Sequence, residues 1–472
     1  MQNRIVLRFI VLLLLMLPFL GCRKIIDMQP ITEVDASMLY ADDQTAVSAV
    51  VGLENRFMTS ISMFNGNLSR YLSLYGDDLK RISKLASDSL FYNHLLSADN
   101  EQVAEFWNSG YSYIFHCNAI LTSLQHSEKI TPETKNQLQG ETKFIRSLVY
   151  FYLVNLFDSI PLVLVTDPQV TKHLPRAAPA AIYAQLVEDL QDAQALLSNE
   201  YPANRLLFAP RTRVNKGTAA ALLARVYLYR KDYAHADTQS TWVIGCGQYT
   251  LEPDLNKVFL KDSPETIFAL HPTINNYNTV EGKLFGLNPT TNKAAFEITP
   301  ALWNSFEAAD QRAVKWITTA TMSGKKYKIP YKYKVYEAAA ITEYNVLFRL
   351  ADLYLIRAEA RAALGHPTEA VQDLNTIRAR ANATLLSSSL TGAPLKDAIE
   401  AENRREYFTE SGHRWLDLRR WESHDANAPH KRRADDVMEE INPQHWASYK
   451  IHFPIPGDEL LKSKFLTQNP GY

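Results

Sequence analysis

Leu353-Tyr354-Leu355-Ile356-Arg357-Ala358-Glu359-Ala360-Arg361-Ala362-Ala363-Leu364-Gly365-His366-Pro367-Thr368-Glu369-Ala370 is the stretch that decides the fold. Leu353, Leu355 and Ile356 supply the apolar side of an amphipathic helix. Gly365 ends that helix, and Pro367, tolerated in a first turn, opens another. Ala358 and Ala370 stand twelve residues apart across the break, so two helix backbones can approach closely where they cross. The same layout occurs upstream. Ala224 and Ala236 are twelve apart across Lys231-Asp232-Tyr233, and Leu222, Val226 and Leu228 are placed to fill the groove of the next helix.

A helix, a tight break and a second helix with small residues at the crossing is the unit of the tetratricopeptide repeat, about 34 residues long. Working outward, the periodicity predicts four helix pairs: 45–62 with 103–124, 132–157 with 178–197, 214–230 with 233–244, and 344–364 with 368–381. Thr131-Pro132-Glu133 places a capping hydroxyl before proline at the start of one of them. The expected class is therefore mainly α, a tetratricopeptide-like scaffold. Two long segments interrupt it. Residues 68–100 are rich in Tyr, Ser and Asp, and residues 249–334 in Pro, Asn, Thr and aromatics, with the patterning of short strands and loops. Loops of this length in a compact chain are usually functional, and in a repeat array insertions collect on one face, often the binding face.

The N-terminus predicts an address. Arg4 and Arg8 precede an uncharged run from Ile10 to Leu17, closed by Gly21 and Cys22. The run is shorter than the roughly 20 residues of a spanning helix and fits a secretory signal over 1–21. Cys22 after a small residue resembles the bacterial lipobox, so residues 22–43 read as a lipidated leader. More than one acyl chain gives stable anchoring.

Composition narrows the function. The chain carries 50 basic and 51 acidic residues, a net charge of −1. That balance argues against a nucleic-acid partner, which needs a clustered basic excess. Apart from Cys22, only Cys117 and Cys246 are present, too few for a disulfide framework; one bridge between them stays open. No His-Glu-x-x-His, phosphate loop, Gly-x-Ser-x-Gly elbow or Cys-x-x-Cys occurs, and the 12 histidines lack ligand spacing. Asp77-Asp78 and Asp435-Asp436 fall short of the six to eight oxygens a hard cation takes. No metal, cofactor or catalytic residue is predicted.

Several stretches together resemble the SusD/RagB family of outer-membrane nutrient-binding lipoproteins. They are Ile26-Asp27-Met28-Gln29-Pro30, Tyr71-Leu72-Ser73-Leu74-Tyr75-Gly76-Asp77-Asp78, the spacing of Trp107, Tyr111, Ile114 and Asn118, and Asp158-Ser159-Ile160-Pro161-Leu162. The most specific piece runs from Asn403-Arg404-Arg405-Glu406-Tyr407 through Gly412-His413-Arg414-Trp415-Leu416-Asp417-Leu418 to Trp421. The chain closes on Phe453-Pro454-Ile455-Pro456 and Asn469-Pro470-Gly471-Tyr472, like the family's terminal pattern. The resemblance implies an N-terminal helical region at 44–248 carrying the aromatic insertion, and a C-terminal region at 249–472 carrying the loop insertion and the last helix pair. It also implies a binding protein rather than an enzyme. Such a protein would be lipid-anchored at the outer membrane and face outwards. It would deliver a glycan to a TonB-dependent SusC-like transporter. A peptide ligand, or a surface glycosidase, is the alternative.

Glycan capture needs aromatic rings for the apolar faces of pyranoses and amides or acids for their hydroxyls. The insertions offer Tyr71, Tyr75, Asp77 and Tyr92, then Asn275, Asn276, Tyr277, Trp303 and Trp316, with Asn275-Asn276-Tyr277 foremost. Arg404, Arg405, Glu406, Arg414 and Asp417 read as a structural lock between the C-terminal part and the scaffold, with Arg414 placed to pair with Asp417 and Glu410 along one helix face.

Overall fold

A computed structural model of the chain describes residues 40–202, 210–274, 277–425, 427–428 and 430–472. The predicted signal segment, Cys22, Asn275 and Asn276 lie outside the described residues. Helices dominate: α1 (Asp43–Arg56), α2 (Asn67–Tyr75), α3 (Glu101–His126), α4 (Pro132–Phe157), α5 (Pro179–Leu196), α6 (Lys216–Tyr229), α7 (Tyr233–Gly245), α8 (Leu350–Ala363), α9 (Pro367–Arg380), α10 (Gly392–Tyr407), α11 (His413–Arg420) and α12 (Arg433–Ile441), with shorter helices between them. From α3 to α9 each of these packs on the next, which is the tetratricopeptide-like array the periodicity predicts. Ala224, Ala236, Ala358 and Ala370 are fully buried, as close backbone approach requires. Gly365, at φ +82°, makes the break between α8 and α9. Thr131 caps α4 by accepting the N–H of Thr134, with Pro132 in the first turn. Every residue of α4 from Phe144 to Phe157 is buried, the pattern of a helix enclosed on all sides.

Among the described residues there are eight short strands: β1 (Leu79–Arg81), β2 (Ile160–Pro161), β3 (Arg176–Ala177), β4 (Thr266–Leu270), β5 (Phe296–Ile298), β6 (Ile317–Met322), β7 (Lys325–Pro330) and β8 (Asn345–Arg349). They form four antiparallel pairs, β1–β5, β2–β3, β4–β8 and β6–β7. The pairing of Leu79 with Ile298 ties the first insertion to the second. Ser323 and Gly324 turn between β6 and β7 with φ +48° and +77°, the two positive values that a two-residue hairpin turn of the favoured hand needs.

Three elements differ from expectation. The helix predicted over 45–62 ends at Arg56. Residues 345–349, predicted as the start of a helix, are β8, every position buried against β4; a short continuous apolar run cannot be told from a buried helix by periodicity. Residues 68–75, predicted as the opening of a loop-like insertion, belong to the buried helix α2. Cys117 is buried and Cys246 half-buried, both as free thiols.

A network of buried ion pairs holds these parts together. Arg349 of β8 reaches Glu265 at 2.9 Å, Glu406 at 2.6 Å and Glu410 at 2.9 Å. Arg312 meets Asp310 at 2.8 Å, Glu402 at 2.7 Å and Glu406 at 2.9 Å. Arg380 of α9 pairs with Glu265 at 2.6 Å and with Glu406. Burial pushes the Glu406 carboxyl up, but Arg380, Arg349 and Arg312 outweigh it and hold it well below the usual carboxylate range. Arg405 joins Glu402 at 2.9 Å, and Arg404 bridges Asp77 at 3.0 Å and Asp78 at 3.3 Å. The pairs predicted along one helix face do not form. The helix breaks between Tyr407 and His413, where Gly412 takes φ +77° against Leu72. Arg414 instead pairs with Glu400 at 2.9 Å, Asp417 with Arg420 at 2.8 Å, and Glu410 with Lys332 at 2.5 Å as well as with Arg349.

The second insertion also rests on a buried acid. Glu281, in the helix Val280–Phe285, accepts the Ser69 hydroxyl of α2 at 3.2 Å. Burial pushes its carboxyl up to about 7, from an ordinary value of 4.5, so the folded chain keeps a proton that the unfolded chain releases. This group costs stability progressively between those two pH values and by a constant amount above them.

Removing one member of a fully buried network leaves its partners as uncompensated charges. Glu406→Ala is expected to lower unfolding free energy by about 3–5 kcal/mol in urea titration, and Arg414→Ala and Asp417→Ala by about 1–3 kcal/mol. Parent-like melting of all three would refute a structural role. Glu281→Gln is expected to gain on the order of 3 kcal/mol relative to the parent on going from pH 4 to pH 8; an equal difference at both pH values would remove the titration of Glu281 from the account.

Candidate functional site

The second insertion folds back on itself and leaves a cleft of about 450 Å³ between the helix Val280–Phe285, residues 286–295, the β6–β7 turn and Tyr336, with Ile82 and Ser83 after β1 on one side. That volume lies within the range of ligand sites. A small apolar cluster of Ala294, Ala320, Met322 and Ile329 seats the hairpin, with Ile82, Leu287 and Tyr327 packed against it. The cleft is therefore held by packing as well as by its turn.

The lining is aromatic, amide-bearing and cationic. Tyr327 and Tyr336 are half-buried walls. The side-chain oxygen of Asn288 accepts the N–H groups of Thr290 and Thr291, both at 2.9 Å, a turn Asn makes with its own backbone. Its amide donates to the Tyr336 hydroxyl oxygen at 2.8 Å, which leaves the phenolic O–H to donate elsewhere. Lys283 sits 4.0 Å from the ring centre of Tyr277 and 5.5 Å from that of Tyr336, and it pairs with Glu337. Lys293 also lines the cleft, and Lys325 lies 4.9 Å from the ring of Tyr327. Among the described residues, no acidic residue lines it.

The residues proposed from sequence separate into two groups. Tyr277 is half-exposed beside Lys283. Trp303 is half-buried in the helix Pro300–Ser305, with Lys328 4.2 Å from its ring, and does not line the cleft. Tyr92 is half-buried near Arg81 and Glu297. Tyr71, Tyr75, Trp316 and Asp77, offered from sequence as ligand-binding residues, are instead taken up by the packing of the fold. Tyr71 is buried against Phe91 at 4.4 Å. Tyr75 is buried against Trp415 at 4.5 Å and donates to the carbonyl of Lys450 at 2.9 Å. Trp316 is fully buried and its indole N–H donates to the carbonyl of Leu255 at 2.8 Å. None of the three has a ring face to offer a ligand. Asp77 is held by Arg404. Sequence reasoning missed Lys283, Asn288, Lys293, Tyr327 and Tyr336. The available signal was Ser323-Gly324 followed by Lys325-Lys326-Tyr327-Lys328, a hairpin turn leading into alternating cations and an aromatic.

A second cavity, of about 490 Å³, opens between α7, α8 and α10, with Tyr229, Tyr233, Glu359, Leu395, Ile399 and Trp421 in its wall. Its central polar groups bind one another. Arg420 lies between the rings of Tyr229 and Trp421 and binds Glu359 through two nitrogens, and the Trp421 indole donates to the same carboxylate.

Comparison with known proteins places the whole described chain. Residues 227–472 match the sequence model of the SusD family, and residues 40–228 match a model described as starch-binding, associating with outer membrane. The chain is 25% identical over 524 residues to SusD-like protein P2 of Formosa agariphila, covering 98% of this chain and 99% of that one. It is 25% identical over 439 residues to the starch-binding protein SusD of Bacteroides thetaiotaomicron, covering 74% and 75%. Among solved structures, a SusD-like protein from Bacteroides fragilis superposes with a TM-score of 0.78 at 20% identity, covering 93% and 99% of the two chains. A laminarin-binding SusD-like protein superposes with a TM-score of 0.74 at 22% identity, covering 92% and 100%. With its buried Arg-Glu lock, its tetratricopeptide-like array and a sequence match over more than half its length, the chain belongs to the SusD family.

Proposed function

We propose that this protein captures a glycan in the cleft between Lys283, Asn288, Tyr327 and Tyr336 at the outer membrane, and passes it to a TonB-dependent SusC-like transporter. The observation that carries the reading is the lining itself. Two half-buried tyrosines and an amide meet in an open cleft of ligand size. Aromatic rings suit the apolar face of a pyranose while their polar tips stay wet. Family membership and the starch- and laminarin-binding relatives support the same reading. The tether would be lipid on Cys22. Among the described residues no helix is long and apolar enough to cross a membrane.

Binding without turnover is the chemistry this cleft supports. Glycoside hydrolysis uses two carboxyl groups flanking the scissile bond, and among the described residues no carboxylate lines this site. A peptide would call for side-chain pockets and backbone partners; two phenols and an amide favour a sugar.

Calorimetric titration with a panel of neutral and acidic oligosaccharides tests the reading. Tyr336→Ala and Tyr327→Ala are each expected to weaken a saturable glycan signal about tenfold, roughly 1.4 kcal/mol, with thermal stability close to the parent. Trp316→Ala is expected to behave oppositely, losing about 3–5 kcal/mol of stability while its folded fraction binds normally. Binding of peptides alone, or full glycan affinity in both tyrosine variants, would overturn the assignment of this cleft.

A further inference from the structure

Resting on the reading of the cleft as a glycan site, the geometry points to a polyanionic glycan as its ligand, one whose sugar units carry carboxylate or sulfate groups. The chain as a whole is balanced, with a net charge of −1, yet basic residues concentrate around this one cleft. Lys283 and Lys293 line it. Lys325 and Lys326 extend along the hairpin at its edge, and Arg81 and Lys84 bracket the lining residues Ile82 and Ser83. Among the described residues Arg81, Lys84, Lys293, Lys325 and Lys326 have no carboxylate partner; the nearby acids Glu297, Glu337 and Asp88 are engaged by Lys80 at 3.8 Å, by Lys283 and by Arg70 at 2.7 Å. Glu281, on the helix Val280–Phe285, is buried and turned towards Ser69 of α2. A concave surface lined by one sign of charge focuses its field on the ligand.

The placement of the lysines relative to the rings separates an acidic sugar from a neutral one. Lys283 occupies a face of Tyr277, and Lys325 lies over Tyr327. A neutral pyranose stacking on those faces must displace an ammonium group and receives nothing in return. An acidic pyranose can pack its C–H face on the ring edge or the open face while its anionic substituent meets the ammonium, so both groups act on one sugar unit. A carboxylate and a sulfate are equivalent in this respect, and both are acceptors of charge-assisted hydrogen bonds from lysine. A flat membrane surface bearing lipid phosphates is the poorer match, because the lysines that line the site sit inside a cleft with aromatic walls.

The test uses matched pairs: oligogalacturonate against its methyl ester, and dextran sulfate against dextran, titrated into the purified protein at 50 mM and 500 mM salt. The parent is expected to bind at least one acidic member about tenfold or more tightly than its neutral counterpart, and to lose most of that preference at high salt. Preference for oligogalacturonate or for dextran sulfate identifies the anionic group. The exposed double variant Lys293→Gln/Lys325→Gln is expected to lose the preference about tenfold, while Lys396→Gln, at the other cavity, keeps it. Equal affinity for acidic and neutral members, unchanged in the double variant, would overturn the inference and leave the glycan reading standing. Binding to no glycan of either kind would overturn both. Binding confined to vesicles containing anionic lipid would also overturn the inference, since the charge would then serve a surface and not a sugar.

Discussion

Glu406 shares one carboxylate among Arg312, Arg349 and Arg380, and the rest of the fold depends on that arrangement. The three arginines come from three different places: the second insertion, strand β8 and helix α9. Glu406 itself belongs to α10, and Glu265, next to β4, closes the circuit through Arg349 and Arg380. Arg312 and Glu406 are fully buried. Isolated charges there would be strongly disfavoured, and each is tolerable only because the others are in place. The network therefore enforces one relative position for segments that a helix-repeat array alone would leave free to slide. Apolar packing supplies the bulk of the favourable free energy, while the ion pairs supply register.

That register has a consequence for the candidate site. The second insertion is pinned at its base by Arg312 and by the fully buried Trp316, and it is tied to the first insertion by β1–β5. The hairpin β6–β7 and the helix Val280–Phe285 project from this fixed base. A cleft formed between them can present tyrosines, an amide and lysines in a set geometry without a helix of the array taking part. The scaffold thus provides rigidity, and the insertions provide chemistry.

The family signature was legible because its residues are close in sequence, but their partners were not. Arg414 and Asp417 look like an i,i+3 pair; in space Arg414 turns to Glu400 of the preceding helix, while Asp417 pairs with Arg420 one turn further along its own helix. The same limitation misplaced the aromatic candidates. Tyr71, Tyr75 and Trp316 stand in tyrosine- and tryptophan-rich stretches that read as exposed loops, yet α2 and the short helix Arg312–Lys315 bury them. Local composition records how much aromatic surface a segment has, and only packing decides whether that surface meets solvent or core.

The sequence by itself determined the helical array, because small residues at a twelve-residue spacing and period-3.6 apolar faces act locally and repeat. It also determined the family, because the Arg-Arg-Glu and Gly-His-Arg-Trp stretch is specific as a string. The tertiary structure decided which aromatics are walls and which are core, and it brought Lys283, Lys293 and Tyr336 to one cleft with Tyr327 and Ser83. Ser83 and Tyr336 are far apart in the chain, and nothing local couples them. Their meeting follows from the β1–β5 ladder and the buried charges beneath it, which are interactions between distant segments and so leave no local pattern to read.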